Sequence, residues 1–368
     1  MRVLVTTFPG KGHFHPVAPL ALALQRAAHD VRVATGSDLG DWVRGCGLRA
    51  ITAGMSLIGN VETAASVPPA ERTVRQFTTI AVPPFVDDVM RACDEWRPDV
   101  IVNEEGEHSG PLLAALLSAR SVTHSWPAPA RPWAEQAERV VALEEVWRSF
   151  GRTEQTRLYG DTYLDSCPPP LQTDSIASVD GVRTVRPTIF DGPNQAPPPW
   201  LADVVAPVAL VSLGTVPIFA RADALSTIVQ AVAPVVGTVI VATGPNATTA
   251  VPDLPNARVA TYLPFSAVLP VTDTVVSHGG AGTTTASLIA GVRHLVVPQG
   301  APSQQRAAER VSELGFGRAV GGSDLDERVI AQAVTDLLAD AEVGARLDAA
   351  RATISSLPDP DELARGYR

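Results

Sequence analysis

A strand–turn–helix–strand segment in the last third of the chain constrains the fold more than any other feature. It reads VVSHGGAGTTTASLIAGVRHLVVP from Val275 to Pro298, with three glycines within four residues after Ser277. The Ala/Leu/Ile stretch that follows is typical of a helix that stops at Gly291. Bare glycine backbone lets N–H groups approach a ligand closely. A helix N-terminus adds unpaired donors and a partial positive charge. We therefore expect this turn to bind phosphate.

The glycine pattern does not match the common nucleotide-binding fingerprints. The stretch around Gly280-Ala281-Gly282 lacks a third glycine, because Thr285 holds that position, and no acidic residue follows at the required distance. A dinucleotide fingerprint also belongs to the first strand of its domain, whereas this segment comes late. The chain contains neither a Gly-Lys-Ser/Thr phosphate loop nor a Gly-x-Ser-x-Gly elbow. A dehydrogenase and a serine hydrolase therefore have little support.

The length and the order of elements predict two α/β domains. At 368 residues the chain exceeds one ordinary core. Val3–Val5 is a short apolar strand, its loop ends in His13, and Pro16 suits a first helical turn. The strand at Val31–Ala34 completes the start of a doubly wound parallel sheet. Prolines then accumulate before a second alternating series. The predicted units are residues 1–190 (first α/β domain), 191–206 (Pro-rich linker), 207–352 (second α/β domain) and 353–368 (C-terminal helix).

Charge and apolar patterning limit the partners. The formal net charge is −10, so the chain has no basic footprint for nucleic acid. No apolar run approaches the roughly 18 residues of a membrane span. The three cysteines are scattered, which favours reduced thiols in a cytoplasmic protein. We expect a cytoplasmic location without nucleic acid or membrane partners, and the sequence leaves the oligomeric state open.

Two residues at predicted strand ends suggest an acid–base pair. His13 follows the first strand, and a neutral imidazole beside a helix N-terminus suits a general base. Glu104 ends a later strand of the same half. Since parallel strands end at one edge of a sheet, Glu104 can orient His13. Two alternatives stay open: His15 competes for the role of base, and Glu104 can be a solvated loop carboxylate beside Glu105 and Glu107.

Five motifs in a fixed order resemble those of the GT-B glycosyltransferases of family 1. The likeness is greatest to the bacterial antibiotic-tailoring members that use nucleotide-activated deoxysugars. It spans nearly the whole chain. The motifs are His278-Gly279-Gly280-Ala281-Gly282-Thr283, Gly12-His13-x-x-Pro16, Ser212-Leu213-Gly214-Thr215, Tyr262-Leu263-Pro264 with Leu269-Pro270, and Leu357-Pro358-Asp359-Pro360.

The resemblance implies a fold and an activity. Two Rossmann-like doubly wound domains would face each other across a cleft, with a C-terminal helix crossing back to the N-terminal domain. The implied activity is inverting, metal-independent transfer of a deoxysugar from a dTDP-sugar to a hydroxyl of a natural-product aglycone, without a cofactor; a UDP-sugar is the alternative donor. By the same resemblance, residues 1–190 would bind the acceptor and residues 207–352 the nucleotide sugar. Two other functions stay open: a sugar-nucleotide epimerase of the same fold and a non-catalytic regulator that binds nucleotide sugars.

The resemblance also implies roles for particular residues. His13 is the base that deprotonates the acceptor, and Glu104 is its carboxylate partner. The implied donor-phosphate residues are His278, Gly279, Gly280, Ala281, Gly282, Thr283, Ser212, Gly214 and Thr215, and the implied donor-base residues are Tyr262, Leu263 and Pro264. The candidate acceptor residues are Gly12, Phe14, His15, Phe85, Glu107, His108 and Trp126, with core packing as the alternative for each aromatic.

One departure from the family pattern concerns the donor sugar. The family carries Asp-Gln shortly after the strand that here ends at Pro298. In this chain the Asp position falls on Pro302 or Ser303, followed by Gln304. A missing carboxylate removes a strong acceptor for sugar hydroxyls. We therefore expect residues 302–304 to contact the donor sugar and to favour one with few hydroxyls, as in a deoxysugar.

Overall fold

Two parallel β-sheets, each covered by helices on both faces, organise the molecule. The computed structural model describes residues 1–193, 196–214, 223–244, 251–321 and 325–366. Within these residues the N-terminal half forms a seven-stranded sheet and the C-terminal half a six-stranded sheet. Both sheets are doubly wound, as expected for Rossmann-like domains.

The first sheet has the order β3-β2-β1-β4-β5-β6-β7, with every strand parallel. The chain order reverses on either side of β1, between β2 and β4. The crevice at such a reversal is where open α/β sheets bind ligands. The strands are β1 (Arg2–Thr6), β2 (Asp30–Thr35), β3 (Arg49–Thr52), β4 (Val100–Glu104), β5 (Arg120–His124), β6 (Thr162–Asp165) and β7 (Val182–Thr184).

Helices cover both faces of this sheet. Val3 and Val5 pack against α1 on one face, and Leu4 packs on the other, as the two-residue repeat of a strand requires. Gln76–Ile80 forms a π-helical turn between α4 and α5. The helices are α1 (Lys11–Arg26), α2 (Gly40–Gly45), α3 (Leu57–Ala65), α4 (Pro69–Arg75), α5 (Val82–Ala92), α6 (Gly110–Leu117) and α7 (Trp133–Ser149).

The second sheet repeats the plan with the order β10-β9-β8-β11-β12-β13. Here β8 lies at the reversal, with Ser212 paired to Ser277 of β11 at the carboxyl ends. The phosphate turn predicted from the sequence therefore follows a strand at the ligand-binding crevice. The strands are β8 (Val208–Ser212), β9 (Thr238–Ala242), β10 (Ala257–Ala260), β11 (Thr274–Ser277), β12 (Arg293–Val296) and β13 (Gly317–Ala319).

The helices of the second half pack on a Val- and Leu-rich core. Leu171, which precedes the predicted linker, also packs into this core, so the segment before the linker already touches the second half. The domain boundaries proposed above remain predictions. The helices are α8 (Ala224–Val232), α9 (Phe265–Val268), α10 (Ala281–Ala290), α11 (Pro302–Glu313), α12 (Glu327–Ala339), α13 (Ala341–Ser355) and α14 (Pro360–Gly366).

The C-terminal end of the chain returns to the first half. Helix α13 ends at Ser355, and α14 then packs on α1, where Ala364 joins the core of the first domain. Arg26 pairs with Asp361 at 2.8 Å. The backbone N–H of Arg186 donates to the Pro358 carbonyl at 2.8 Å. The predicted crossing helix is therefore confirmed.

Candidate active site

His13 and Glu104 meet at the carboxyl edge of the first sheet. His13 lies in the first turn of α1, directly after the loop that leaves β1, and Glu104 is the last residue of β4, which pairs with β1. His13 Nδ1 lies 2.8 Å from Glu104 Oε1. The structure therefore brings together the two residues that the strand ends predicted.

Glu104 is a buried carboxylate with every acceptor position in use. Its side chain has no solvent exposure. Oε1 accepts from His13 Nδ1 and the Phe8 N–H, and Oε2 accepts from the Gly106 N–H and Trp126 Nε1, both at 2.7 Å. A buried charge needs such a set of donors to offset the loss of water. The alternative of a solvated loop carboxylate is wrong.

This carboxylate fixes the orientation of the His13 ring. Because Glu104 can only accept, Nδ1 carries the proton of the neutral imidazole and Nε2 holds the free lone pair. The ring lies against Phe8, Phe77 and Trp126, with centroid distances of 5.0, 5.9 and 4.9 Å. About a fifth of the side chain stays exposed. His13 Nε2 is thus oriented to accept a proton, and the side chain is accessible to solvent.

His15 lies in a different environment. Its ring stacks on Trp42 at 5.9 Å, and Trp42 Nε1 donates to its Nε2 at 3.2 Å. Burial and the nearby charge of Lys11 lower the pKa of His15 to about 4. With one nitrogen occupied and the ring held neutral, His15 has the geometry of a packing residue at the domain contact.

A cavity of about 320 Å³, counted with its open mouth, lies beside His13. Phe8 and Phe77 line it and also contact the His13 ring. A Cβ added to Gly106 would lie 3.0 Å from His13 Cε1, so only glycine leaves this approach free. The remaining lining residues are Pro9, Met55, Asn60, Ala81, Phe85, Glu107 and His108.

The polar end of this cavity is formed by Glu107 and His108. Burial raises the pKa of Glu107 to about 7, although Thr6 Oγ1 and the Ser109 N–H donate to its carboxyl oxygens. Burial also lowers the pKa of His108 well below its usual value. Neither ring nitrogen of His108 has a hydrogen-bond partner. The cavity thus combines an aromatic wall with unsatisfied polar atoms.

The other predicted acceptor residues take four different places. Phe14 is fully buried in the core beneath α1, so its prediction as an acceptor residue is wrong; the helix turns its side chain away from the cleft and toward the sheet. Gly12 borders open space, with nothing within 4 Å of a built Cβ. Phe85 lines the cavity, whereas Trp126 contacts the His13–Glu104 pair directly.

The glycine-rich turn of the second domain is built around His278. A Cβ on Gly214 would lie 2.7 Å from the His278 ring, and one on Gly280 would lie 2.6 Å from its Nε2. Gly214 and Gly279 also have φ near +85°, where other residues are strained. Burial lowers the pKa of His278 to about 4, so the ring is neutral. The glycines therefore leave room for a neutral imidazole at the sheet edge.

Helix α10 presents its N-terminus at this same edge. Gly280 is the N-cap residue and Ala281 begins the helix; Gly282, in its first turn, is exposed. The N–H groups of Ala281, Gly282 and Thr283 are in the first turn, where no carbonyl of the helix can accept from them. Ser212, at the end of β8, is buried beside this turn, and its Oγ accepts from the Gly214 N–H at 3.4 Å. Thr215 lies outside the described residues.

The predicted base-binding residues divide between the cleft and the core. Tyr262 faces the cleft: its hydroxyl donates to the Asp191 carbonyl at 3.1 Å, and its ring meets Trp42 edge-on at 5.6 Å. Leu263 is buried in the core of the second domain, and Pro264 is buried as the N-cap of α9. Their side chains are therefore not free to stack on a base, so these two residues can meet a base only through their backbone, and their base-binding role stays a prediction.

The predicted sugar-binding residues open α11. Pro302 and Ser303 are exposed at its first turn. Gln304 is buried, and its Oε1 accepts from the Gln299 N–H at 2.7 Å. The same oxygen accepts from the N–H of Ala301, the N-cap residue of α11, at 3.4 Å. The Gln304 oxygen therefore holds the loop before α11, and the sugar-binding role of Gln304 stays a prediction.

Three residues of the site were not among the predicted site residues. Phe8 and Phe77 form the aromatic wall, and Phe77 comes from the π-helical turn. Lys11 Nζ lies 3.6 Å from the centroid of the Trp42 ring and 4.9 Å from that of Tyr262. As the chain's single lysine, directly before the Gly12-His13 motif, Lys11 was the one of these that composition singled out.

The described ranges contain neither a metal-binding cluster nor a membrane-spanning helix. No group of three or more His, Cys, Asp and Glu side chains in the described part of the chain is placed to hold a metal ion. Among the same residues, no helix combines the length and apolarity needed to cross a membrane.

Contacts between the two sheet edges define the class of the protein. Helix α1 contacts α10, and Thr285 Oγ1 donates to the Pro127 carbonyl at 2.7 Å across the cleft. Paired Rossmann-like domains that face each other in this way, with a C-terminal helix crossing back, are the architecture of the GT-B glycosyltransferases. The chain has this fold.

Comparison with known proteins identifies the family. A family model described as erythromycin biosynthesis protein CIII-like, C-terminal domain, matches residues 226–367. L-demethylnoviosyl transferase of Streptomyces niveus is 33% identical over 340 residues, which are 86% of this chain and 84% of that protein. The chain belongs to the family of bacterial natural-product deoxysugar glycosyltransferases, and it is an enzyme of that family.

Two solved structures share the whole architecture. Glycosyltransferase SsfS6 of Streptomyces sp. SF2575, complexed with thymidine diphosphate, matches with a TM-score of 0.82 at 25% identity, over 99% of this chain and 98% of that chain. Spinosyn rhamnosyltransferase SpnG, complexed with spinosyn aglycone, matches with a TM-score of 0.84 at 25% identity, over 100% and 99%. The similarity therefore covers both domains.

Proposed function

We propose that this enzyme transfers a deoxysugar from a TDP-sugar to a hydroxyl group of a natural-product aglycone, with inversion at the anomeric carbon and without a metal ion. The observation that carries the proposal is the His13–Glu104 hydrogen bond of 2.8 Å, which leaves His13 Nε2 free beside an aromatic cavity. The family assignment favours transfer over an epimerase or a non-catalytic regulator.

The donor belongs at the edge of the second sheet. The first-turn amides of α10 and the neutral His278 supply hydrogen-bond donors for a diphosphate. The helix dipole adds positive potential in a protein whose net charge is −10. We infer a thymidine base because SsfS6, which shares the fold at 25% identity, was solved with thymidine diphosphate; a UDP-sugar is the competing donor.

The acceptor belongs beside His13. The cavity of about 320 Å³ has Phe8, Phe77 and Phe85 on its walls and the polar side chains of Glu107 and His108 at one end. Such a lining suits a largely apolar aglycone that carries polar groups. SpnG, complexed with its aglycone, is the structural precedent for a small-molecule acceptor in this fold.

The reaction follows from these positions. The acceptor hydroxyl gives its proton to His13 Nε2, and its oxygen forms a bond to the anomeric carbon. The bond from that carbon to the phosphate oxygen breaks on the opposite face, so one displacement inverts the centre. Negative charge grows on the departing diphosphate, where the α10 amides and His278 donate to it. Glu104 holds His13 in the productive tautomer and stabilises the imidazolium that forms.

Metal independence rests on the same donors. The helix end and His278 would neutralise the leaving group, as a divalent cation does in other transferases. The exposed start of α11 has no carboxylate at Pro302 or Ser303, so it lacks a strong hydrogen-bond acceptor for sugar hydroxyls. We therefore extend the proposal to a donor sugar with few hydroxyls.

The test is a transfer assay in EDTA. TDP-deoxysugars are offered with a panel of polyketide and aromatic aglycones, and the product is analysed by NMR for its anomeric configuration. Inverted product formed in EDTA supports the proposal. Retained configuration contradicts the single displacement, turnover that requires added Mg²⁺ contradicts metal independence, and release of epimerised sugar without transfer contradicts the function.

A further inference from the structure

Trp126 touches both members of the catalytic pair. Its indole Nε1 donates to Glu104 Oε2 at 2.7 Å, and its ring meets the His13 ring edge-on at 4.9 Å. The backbone N–H of Trp126 donates to Glu105 Oε2 at 3.2 Å. The Arg131 guanidinium covers the indole face at 4.7 Å. Trp126 is therefore held by four separate contacts.

The next residue connects this site to the other domain. The Pro127 carbonyl accepts a hydrogen bond of 2.7 Å from Thr285 Oγ1, and that bond is buried. Thr285 lies in α10, the helix whose first-turn amides are the proposed diphosphate donors. Two adjacent residues thus contact the acid–base pair of one domain and the donor helix of the other.

We propose that Trp126 is a positioning residue for the His13–Glu104 pair and that the Thr285–Pro127 hydrogen bond couples its position to α10. This inference rests on the proposed transferase function. Placement of the donor helix against Pro127 sets the Trp126 indole on Glu104, and Glu104 in turn holds His13. The base is then fully oriented only when the two domains are correctly closed.

The indole N–H also sets how strongly Glu104 attracts a proton on His13. With four donors, the carboxylate shares its charge among four hydrogen bonds. Without the indole N–H, three donors remain and the attraction for the imidazolium increases. The ionisable groups on the elements packed around the pair are Lys11, Glu105, Glu107, His108, His124 and Arg131.

The experiment uses two near-isosteric variants in the full chain. Trp126→Phe removes the N–H and keeps an aromatic ring, and Thr285→Val removes the hydroxyl. Trp96→Phe and Thr272→Val are matched controls, because Trp96 Nε1 donates to Asp30 and Thr272 Oγ1 to the Val268 carbonyl, both away from the site. The readouts are kcat, its pH profile and the Kd for TDP.

For Trp126→Phe we expect kcat to fall about tenfold or more, the range for a lost hydrogen bond to a charged group. The acid limb of the pH profile moves to higher pH, because a stronger carboxylate keeps His13 protonated over a wider range. For Thr285→Val we expect a loss of about threefold to tenfold in kcat. Its Kd for TDP stays unchanged. The loss of kcat caused by Thr285→Val is smaller in the Trp126→Phe background than in the wild-type enzyme.

Three results would overturn the inference. One is a Trp126→Phe enzyme with unchanged kcat, and another is a reduced kcat with an unmoved pH profile, which would mark a structural role. Additive effects of the two variants would refute the coupling. If Trp126→Phe does not fold, Thr285→Val still tests the coupling through kcat at constant TDP affinity. A wild-type enzyme without any transfer activity would instead reject the proposed function itself.

Discussion

Replacing Glu104 by Gln perturbs the catalytic pair with almost no change in shape. The carboxylate accepts four hydrogen bonds, two on each oxygen. The Gln side chain has one amide oxygen and one NH₂ group. Two of the four donors must therefore face a nitrogen that cannot accept from them. If it faces His13, the ring can accept only by moving its proton from Nδ1 to Nε2. That tautomer has no lone pair directed at the acceptor.

The structure sets the size of the effect. One of the two donors that face the amide nitrogen is a backbone N–H. It can only donate, so it loses its acceptor, which costs about 1–3 kcal/mol of stability. The loss of the charge that stabilises the imidazolium adds to the kinetic effect, and a wrong tautomer in a His–carboxylate pair lowers kcat by roughly 10⁴-fold. We therefore expect a folded protein, destabilised by about 2 kcal/mol, with kcat reduced by about three orders of magnitude or more.

Single-turnover transfer from a saturating TDP-sugar is the assay, with urea unfolding alongside. Asp165→Asn is the matched control: Asp165 is buried at the end of β6, accepts from the Cys167 N–H at 3.0 Å and Gln172 Nε2 at 2.9 Å, and does not touch His13. It should lose stability without a comparable loss of kcat. A Glu104→Gln enzyme that keeps kcat within about tenfold of wild type would refute this mechanism.

Three further predictions concern the donor site and stability. Gly280→Ala should raise the Kd for TDP, measured by calorimetry, about tenfold, because the added Cβ would lie 2.6 Å from His278 Nε2. An unchanged Kd would contradict the proposed phosphate site. Gly366→Ala is the control, because Gly366 has open space around it. Ser303→Asp should shift donor preference toward sugars with more hydroxyls in a competition assay, and unchanged preference would reject that role for α11. Burial lowers the pKa of His278 to about 4 and that of His294 to about 3. The unfolded chain then binds protons below about pH 6.5 that the folded chain does not, so each histidine should remove about 1.4 kcal/mol of stability per pH unit as the pH falls from 6.5 toward 4. Glu107, whose pKa burial raises to about 7, acts in the opposite direction over pH 7 to 4.5 and offsets about one histidine. His15 and His124, whose pKa burial lowers to about 4, add to the fall. Urea unfolding at pH 7, 6 and 5 checks the net fall, and rising stability toward pH 5 would contradict it.

The parts of the site that follow strand ends were predictable from the sequence. Short apolar runs end in polar residues at His13, Glu104, Ser212 and Ser277, and parallel strands bring such ends to one edge. The His13–Glu104 pair and the glycine turn both follow from this rule. The family motifs added the pairing of the two domains, which local patterns do not contain.

The parts that depend on side-chain direction or long-range contacts were not predictable. Phe14 and Phe77 are both aromatic residues near the site, but only the geometry of α1 and of the π-helical turn decides which faces the cavity. Gln304 occupies a motif position, yet its oxygen caps a loop. Trp126 reaches Glu104 from 22 residues along the chain, a contact without local signature.

The choice between two histidines tests the central claim most directly. We compare kcat for His13→Ala and His15→Ala at saturating TDP-sugar, after verifying that both variants bind TDP. The account predicts that His13→Ala lowers kcat by about 10²–10⁴-fold, the usual contribution of a general base. It predicts kcat within about threefold of wild type for His15→Ala, because that ring accepts from Trp42 and takes no part in proton transfer. Near-normal turnover by His13→Ala, or a larger loss for His15→Ala, would contradict it.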